Sequence, residues 1–248
     1  MTAVLPKHVP QSEIAKGIDP HQRLIVALDV STAAAAQNIV AAVGDSASTY
    51  KVGMQLYTAQ GPQVVRELVA SGRSVFLDLK YHDIPNTVGA AVGEAAKLGV
   101  SMLTVHASGS SKMLRAAAEA AQSRPGLMIL AVTILTSFDD ADLERIGMTG
   151  STEDSVLRLA ALALMSGCHG IVASAQEAPA LRHELGKNFA LVTPGVRPAG
   201  AGVADQKRVV TPAEAIAAGA SHIVVGRPIT DAPDPAAAAR AILAEITR

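Results

Sequence analysis

The sequence predicts a single-domain (β/α)₈ barrel, a TIM barrel of the α/β class, and three observations carry that prediction. Short runs rich in Val, Ile and Leu recur eight times, each closed by polar or Gly residues and followed by a segment with helical spacing. The 248 residues match the size of one such barrel, and no linker, low-complexity tract or basic run divides them. The chain is 49% hydrophobic but has only three Phe, three Tyr and no Trp. Its core must therefore be aliphatic, as in a parallel sheet buried on both faces under Ala-rich helices.

In chain order, residues 1–20 lack the apolar stretch of a signal peptide and read as an N-terminal tail ending in a helical turn, with the barrel over 21–248. The first strand is RLIVALDV (23–30), the second TYKVGM (49–54); after it Val64, Val65, Leu68 and Val69 make one apolar helix face. SVFLDLKY (74–81), SMLTVHAS (101–108), LMILAVTILTS (127–137), GIVASA (170–175) and FALVTPGV (189–196) supply strands three to seven. Thr211-Pro212-Ala213-Glu214 then reads as an N-cap, a proline at the first helical position and a capping-box glutamate, with Gly219 ending the helix. HIVVGR (222–227) is the eighth strand, and Ala239, Ile242, Leu243 and Ile246 form the apolar face of the last helix. The strand ends, marked by Asp29, Lys51, Lys80, His106, Thr136, Ser174, Gly195 and Gly226, are spaced 22, 29, 26, 30, 38, 21 and 31 residues apart, each about one strand–loop–helix unit.

Charge narrows the function classes. With 21 basic and 22 acidic residues the net charge is −1, which gives no electrostatic footprint for nucleic acid or an anionic membrane. Neither is expected as a partner. One cysteine, Cys168, excludes an internal disulfide and a four-thiolate zinc site and fits a cytoplasmic location. No apolar run reaches transmembrane length.

Barrel chemistry resides at the C-terminal ends of the strands, so polar residues there carry the search for function. Strand three closes Asp78-Leu79-Lys80-Tyr81-His82-Asp83. Period-two alternation places Phe76, Asp78 and Lys80 on the inward face, with Leu77 and Leu79 toward the helices. A Lys80/Asp83 pair in a loop would be a solvated ion pair of little consequence. Charges inside an apolar strand are different, because they persist only when paired. With Lys51 on the adjacent strand, an alternating Lys51-Asp78-Lys80-Asp83 array is expected, holding an ammonium beside a carboxylate where a reacting charge could develop. Across the barrel, Thr193-Pro194-Gly195-Val196-Arg197-Pro198 and Gly226-Arg227-Pro228 follow strands seven and eight, the usual phosphate-holding position of this fold. Residues 199–209 (AGAGVADQKRV) read either as a plain surface loop or, preferably, as a lid that brings Gln206 to the phosphate.

Together these residues resemble the orotidine 5′-phosphate decarboxylase family. DLKYHDIPNT (78–87) is similar to its catalytic signature. It is accompanied in order by LDV (28–30), KVG (51–53), VTILTS (132–137), SAQE (174–177), TPGVRP (193–198), DQKR (205–208) and GRPIT (226–230). The resemblance runs from about Arg23 to the C-terminus and departs at Tyr81, a position often held by another aromatic or apolar residue. It implies cofactor-independent decarboxylation of orotidine 5′-monophosphate to uridine 5′-monophosphate, with no metal. Lys80 would protonate the carbon that loses carbon dioxide, and Asp78 would sit against the substrate carboxylate. Lys51 would bridge carboxylate and ribose, and Asp29 would bind ribose. It also implies a homodimer with shared sites, in which Asp83, Ile84 and Thr87 reach the partner's substrate. Thr136 and Ser137 would meet the pyrimidine, Arg197, Gln206, Gly226 and Arg227 would gather around the phosphate, and Pro194 would also bind the substrate.

Two alternatives stand beside this one. Metal-dependent keto-sugar-phosphate decarboxylases and synthases of the same barrel type share the D-x-K-x-x-D pattern, and a barrel that binds phosphate without chemistry would share the Gly-Arg turn. Of seven histidines only His82 and His106 fall near the catalytic rim, where structural hydrogen bonding is their expected role; none makes an H-x-x-H spacing. Cys168 is expected to be a packed residue.

Overall fold

The computed structural model describes residues 18–198 and 210–247. All eight predicted strands form: β1 (Leu24–Ala27), β2 (Thr49–Gly53), β3 (Ser74–Tyr81), β4 (Met102–His106), β5 (Met128–Val132), β6 (Gly170–Val172), β7 (Ala190–Thr193) and β8 (His222–Val225). Each pairs in parallel with its sequence neighbour, and β8 returns to β1 with Ile223 opposite Leu24. The closed barrel therefore has no edge strand to protect.

Alternation sorts the aliphatic residues into two cores. Ile25, Ala27, Phe76, Met102, Leu130, Ala190, Val192 and Val224 fill the barrel, while Leu24, Val26, Leu77, Leu103 and Leu191 join the larger layer between sheet and helices. The expected helix faces supply the other side of that layer. Val64, Val65 and Leu68 are buried by the helix Gln63–Ala70, and Ala239, Ile242, Leu243 and Ile246 by the helix Pro235–Ile246. At the start of the helix Pro212–Ala217, Thr211 Oγ1 accepts from Glu214 N at 3.3 Å while Glu214 Oε2 accepts from Thr211 N at 2.8 Å. Gly219 follows with φ +114, a conformation that favours glycine.

Inside the barrel the fit is tight enough to require a missing side chain. A Cβ at Gly170 would lie 2.3 Å from the Ala190 carbonyl oxygen and 2.8 Å from Leu130 Cδ2. Backbone on one side and a packed side chain on the other cannot both give way. Gly170→Ala is expected to cost about 1–3 kcal/mol as overpacking, lowering the thermal midpoint by several degrees in a calorimetric scan; an unchanged midpoint would contradict the contact.

The predicted strand runs extend past the observed ladders. β5 stops at Val132, after which Thr133 binds the Val172 carbonyl oxygen through both its N–H (3.3 Å) and its hydroxyl (3.2 Å), and Phe138 N closes a turn onto Leu135 O at 2.9 Å. Asp29, Thr136, Ser174 and Gly226 consequently sit beyond strand ends, on the rim. At the opposite end Asp19 caps the turn Pro20–Arg23, and Arg23 Nε donates to Ser221 O at 3.3 Å. Cys168 is buried in the outer core, where burial pushes its thiol up to about 12, in keeping with a packing role. Among the described residues no helix is long and apolar enough to cross a membrane.

Candidate active site

Four charged side chains of alternating sign meet at the C-terminal rim of β1, β2 and β3. Lys51 is the third residue of β2, in register with Ala27 and Phe76, so its side chain rises from the filled barrel interior toward the rim. Its Nζ donates to Asp29 Oδ1 at 2.8 Å and lies 3.9 Å from Asp78 Oδ2; Lys80 Nζ donates to Asp78 Oδ1 at 2.8 Å. The side chains of Lys51 and Asp78 are only 12% and 14% exposed, so each carries a charge that needs its partners. Gly53 makes room for them: a Cβ there would lie 2.9 Å from Lys51 Nζ and 3.3 Å from Asp29 Oδ1.

The shared inward face of Asp78 and Lys80 does not come from plain pleating. Pairing of β3 with β4 runs Phe76 to Met102 and Leu77 to Leu103, then jumps to Tyr81 opposite Val105, so three residues of β3 face one of β4. Within this bulge Lys80 has φ +53, an uncommon backbone state for a residue with a side chain. Thr104, the β4 residue opposite, accepts from Lys80 N at 2.9 Å and donates from its hydroxyl to Asp78 Oδ1 at 3.0 Å. Tyr81, past the bulge, packs against the outer core, away from the charges.

The array lies between two adjoining clefts that share wall residues. The larger, about 660 Å³, is polar and runs from Asp29 and Lys51 across Pro194–Arg197 to Gly226–Arg227. The smaller, about 190 Å³, includes Lys80 and is walled by Phe76, Val132, Ile134, Val172 and Thr136. Both contain Lys51, Asp78, Pro194 and Val224. The two segments flanking 199–209 are tied by a Val196–Val210 bridge, with Arg197 N donating to Val210 O at 3.0 Å; Gln206 and the rest of the expected lid lie outside the described residues.

The expected residues divide into three groups. Asp29, Lys51, Asp78, Lys80, Thr136, Pro194, Arg197, Gly226 and Arg227 line the adjoining clefts. Ser137 is exposed and lines neither. Asp83 and Ile84 belong to a separate shallow recess with His82 and Pro85, and Thr87 is exposed on the helix that follows. Within one chain the array is therefore Asp29–Lys51–Asp78–Lys80 rather than one that ends in Asp83. β3 stops at Tyr81, and Asp83 Oδ1 accepts from Ile84 N at 2.6 Å, facing its own turn. His82 and His106 meet ring to ring at 5.5 Å, and burial, then His82, then Lys80 push the His106 imidazole below its usual range.

With this geometry established, comparison with known proteins is decisive. The model of the family described as "Orotidine 5'-phosphate decarboxylase / HUMPS family" matches residues 22–242, a span that contains every strand and the whole array. The chain belongs to the orotidine 5′-phosphate decarboxylase / HUMPS family. Among its relatives, proteins named orotidine 5′-phosphate decarboxylase from Halorhodospira halophila and Nitrosococcus oceani are 56% and 53% identical to it. The aligned regions cover 90% and 91% of this chain and 95% and 97% of theirs. The crystal structure of orotidine 5′-phosphate decarboxylase from Lactobacillus acidophilus superposes with a TM-score of 0.83 at 39% identity, covering 92% of this chain and all of that one. Thr104, the space at Gly53 and the apolar wall of Val132, Ile134 and Val172 are parts of this family member's site that lie outside the sequence expectation. Thr104 had a readable signal, since it shares the inward face of β4 with Met102 and His106 and is a polar residue in that apolar run.

Proposed function

We propose that this member of the family is a carboxy-lyase that converts orotidine 5′-monophosphate to uridine 5′-monophosphate without a cofactor. The observation that carries this reading is the position of the Lys80–Asp78 pair, at the junction between a polar cleft and a small, largely apolar one. A nucleotide has matching parts: an anionic phosphate, a polyol and a flat base with apolar faces. Arg197, Gly226 and Arg227 suit the phosphate, as loops after β7 and β8 do in this fold, and a short helix, Arg227–Thr230, follows β8 directly. Asp29 and Lys51 suit the ribose hydroxyls; Thr136, Ile134 and Val172 suit the base.

In the proposed step the bond from the pyrimidine ring to its carboxylate breaks heterolytically, carbon dioxide leaves and the electron pair remains on the ring carbon. The Lys80 ammonium stabilises that developing charge and then delivers its proton to the carbon, regaining one from solvent afterwards. Asp78 fixes the ammonium and faces the departing carboxylate. Held rigidly in place, such a charge needs no reorganisation as the reaction proceeds, which is the condition for strong electrostatic catalysis. Against the metal-dependent sugar-phosphate reading, the space between the Asp29 and Asp78 carboxylates is filled by the Lys51 ammonium.

Asp83, Ile84 and Thr87 complete the site of a partner subunit in a homodimer. In support, all three are exposed, outside their own chain's cleft, and Ile84 is 65% exposed despite its apolar side chain. The enzyme is placed in the cytoplasm, where its single thiol stays reduced.

Incubation of the purified protein with orotidine 5′-monophosphate should release carbon dioxide and uridine 5′-monophosphate, unaffected by a chelator. Binding without release would leave a phosphate-binding barrel, and loss of activity with chelator would favour the metal-dependent reading. Arg227→Ala should raise KM by about 10- to 100-fold, the worth of a charged hydrogen bond, with a smaller change in kcat. An unchanged KM would argue against a phosphate contact.

A further inference from the structure

The β3 bulge that presents Lys80 has a specific chemical cause. Three residues of β3 face one of β4 here, so the regular backbone ladder between the two strands is interrupted at Lys80, and its N–H turns to β4 without a ladder carbonyl as partner. The substitute is a side chain. Thr104 is fully buried, 0% exposed, and its hydroxyl offers one donor and two acceptor sites. It accepts from Lys80 N at 2.9 Å and donates to Asp78 Oδ1 at 3.0 Å, the same oxygen that accepts from Lys80 Nζ at 2.8 Å. One hydroxyl thus holds both ends of the lysine, the backbone directly and the ammonium through Asp78.

We infer that Thr104 is a positioning residue for the decarboxylation proposed above: its hydroxyl stabilises the left-handed backbone of Lys80 and orients Asp78, so that ammonium and carboxylate stand in one fixed relation at the junction of the two clefts. Thr104 lines neither cleft. Its methyl group is buried with the rest of the side chain, and its hydroxyl serves the bulge. Val keeps the shape and removes both bonds; Ser keeps the bonds and removes the methyl. The two substitutions therefore separate positioning from packing.

The inference rests on the decarboxylase reading for its kinetic consequence but not for its structural one, so the test has two arms. In steady-state kinetics, Thr104→Val should lower kcat by about 10- to 100-fold while KM for orotidine 5′-monophosphate and the inhibition constant of uridine 5′-monophosphate stay within about threefold, and Thr104→Ser should recover most of the loss. In the substrate-free protein, NMR-monitored amide exchange should accelerate at Lys80 in Thr104→Val and remain slow in Thr104→Ser, with distant barrel amides unchanged. If kcat of Thr104→Val stays within twofold of the parent, or if Val and Ser variants lose kcat, substrate affinity and thermal stability together, the positioning role is wrong. Should the parent protein fail to turn over orotidine 5′-monophosphate, the functional reading falls and the exchange arm alone decides Thr104: unchanged Lys80 exchange in Thr104→Val overturns it.

Discussion

Lys80→Ala is expected to remove turnover by about 10,000-fold or more while leaving the barrel folded. The size follows from the two tasks of one ammonium. A positioned general acid contributes about 100- to 10,000-fold and a preorganised charge about 100- to 1,000-fold, and truncation removes both at once. The fold survives because Lys80 is at the rim and not in the helix–sheet layer, and because Asp78 keeps the Thr104 hydroxyl and has Lys51 Nζ 3.9 Å away. The stability cost should be about 1–2 kcal/mol, read as a fall of a few degrees in the thermal midpoint. Binding of uridine 5′-monophosphate should persist, since the proposed phosphate contacts, Arg197, Gly226 and Arg227, line the larger cleft, which Lys80 does not. Turnover within about 100-fold of the parent would remove Lys80 from the role of proton donor.

Mixing Lys80→Ala and Asp83→Ala chains is expected to restore activity that neither has alone. Asp83 faces its own turn and contributes to a recess separate from the cleft of its own Lys80, so each inactive chain retains what the other lacks. In a two-fold dimer with shared sites, a heterodimer has one site with both residues intact and one with neither. Random reassortment gives heterodimers in half of the dimers, so about a quarter of the parent activity should return. The measurement is kcat per total site after co-refolding or co-expression, with heterodimer content verified by native mass spectrometry. Verified heterodimers without activity would mean that each site is built from one chain.

Much of the architecture was legible residue by residue. Hydrophobic runs recurring about once per strand–loop–helix unit marked all eight strands and Thr211 to Glu214 marked a capped helix, because these signals are local or periodic; Asp78 and Lys80 were expected on one inward face by alternation, but it is the β3 bulge that puts them there. Strand ends were less legible. The runs continued through Thr133 to Ser137 and through Ala173 to Ala175, yet the ladders end at Val132 and Val172. Whether a β-prone residue stays in a ladder depends on where its neighbour strand ends, which is a property of the closed barrel. The expected array ended in Asp83, whereas the folded chain pairs Lys51 with Asp29 and leaves Asp83 at its turn.

By itself, then, the sequence determined the barrel, the order of its strands, the family and the identity of the charged groups at the rim. Tertiary structure decided which charges pair, how three residues of β3 come to face one of β4, and that a buried hydroxyl on β4 holds the lysine's backbone. The reason is physical. Alternation and spacing are set within one strand, but ion-pair partners, bulges and the room left by Gly53 and Gly170 are set between strands, at distances that exist only after closure.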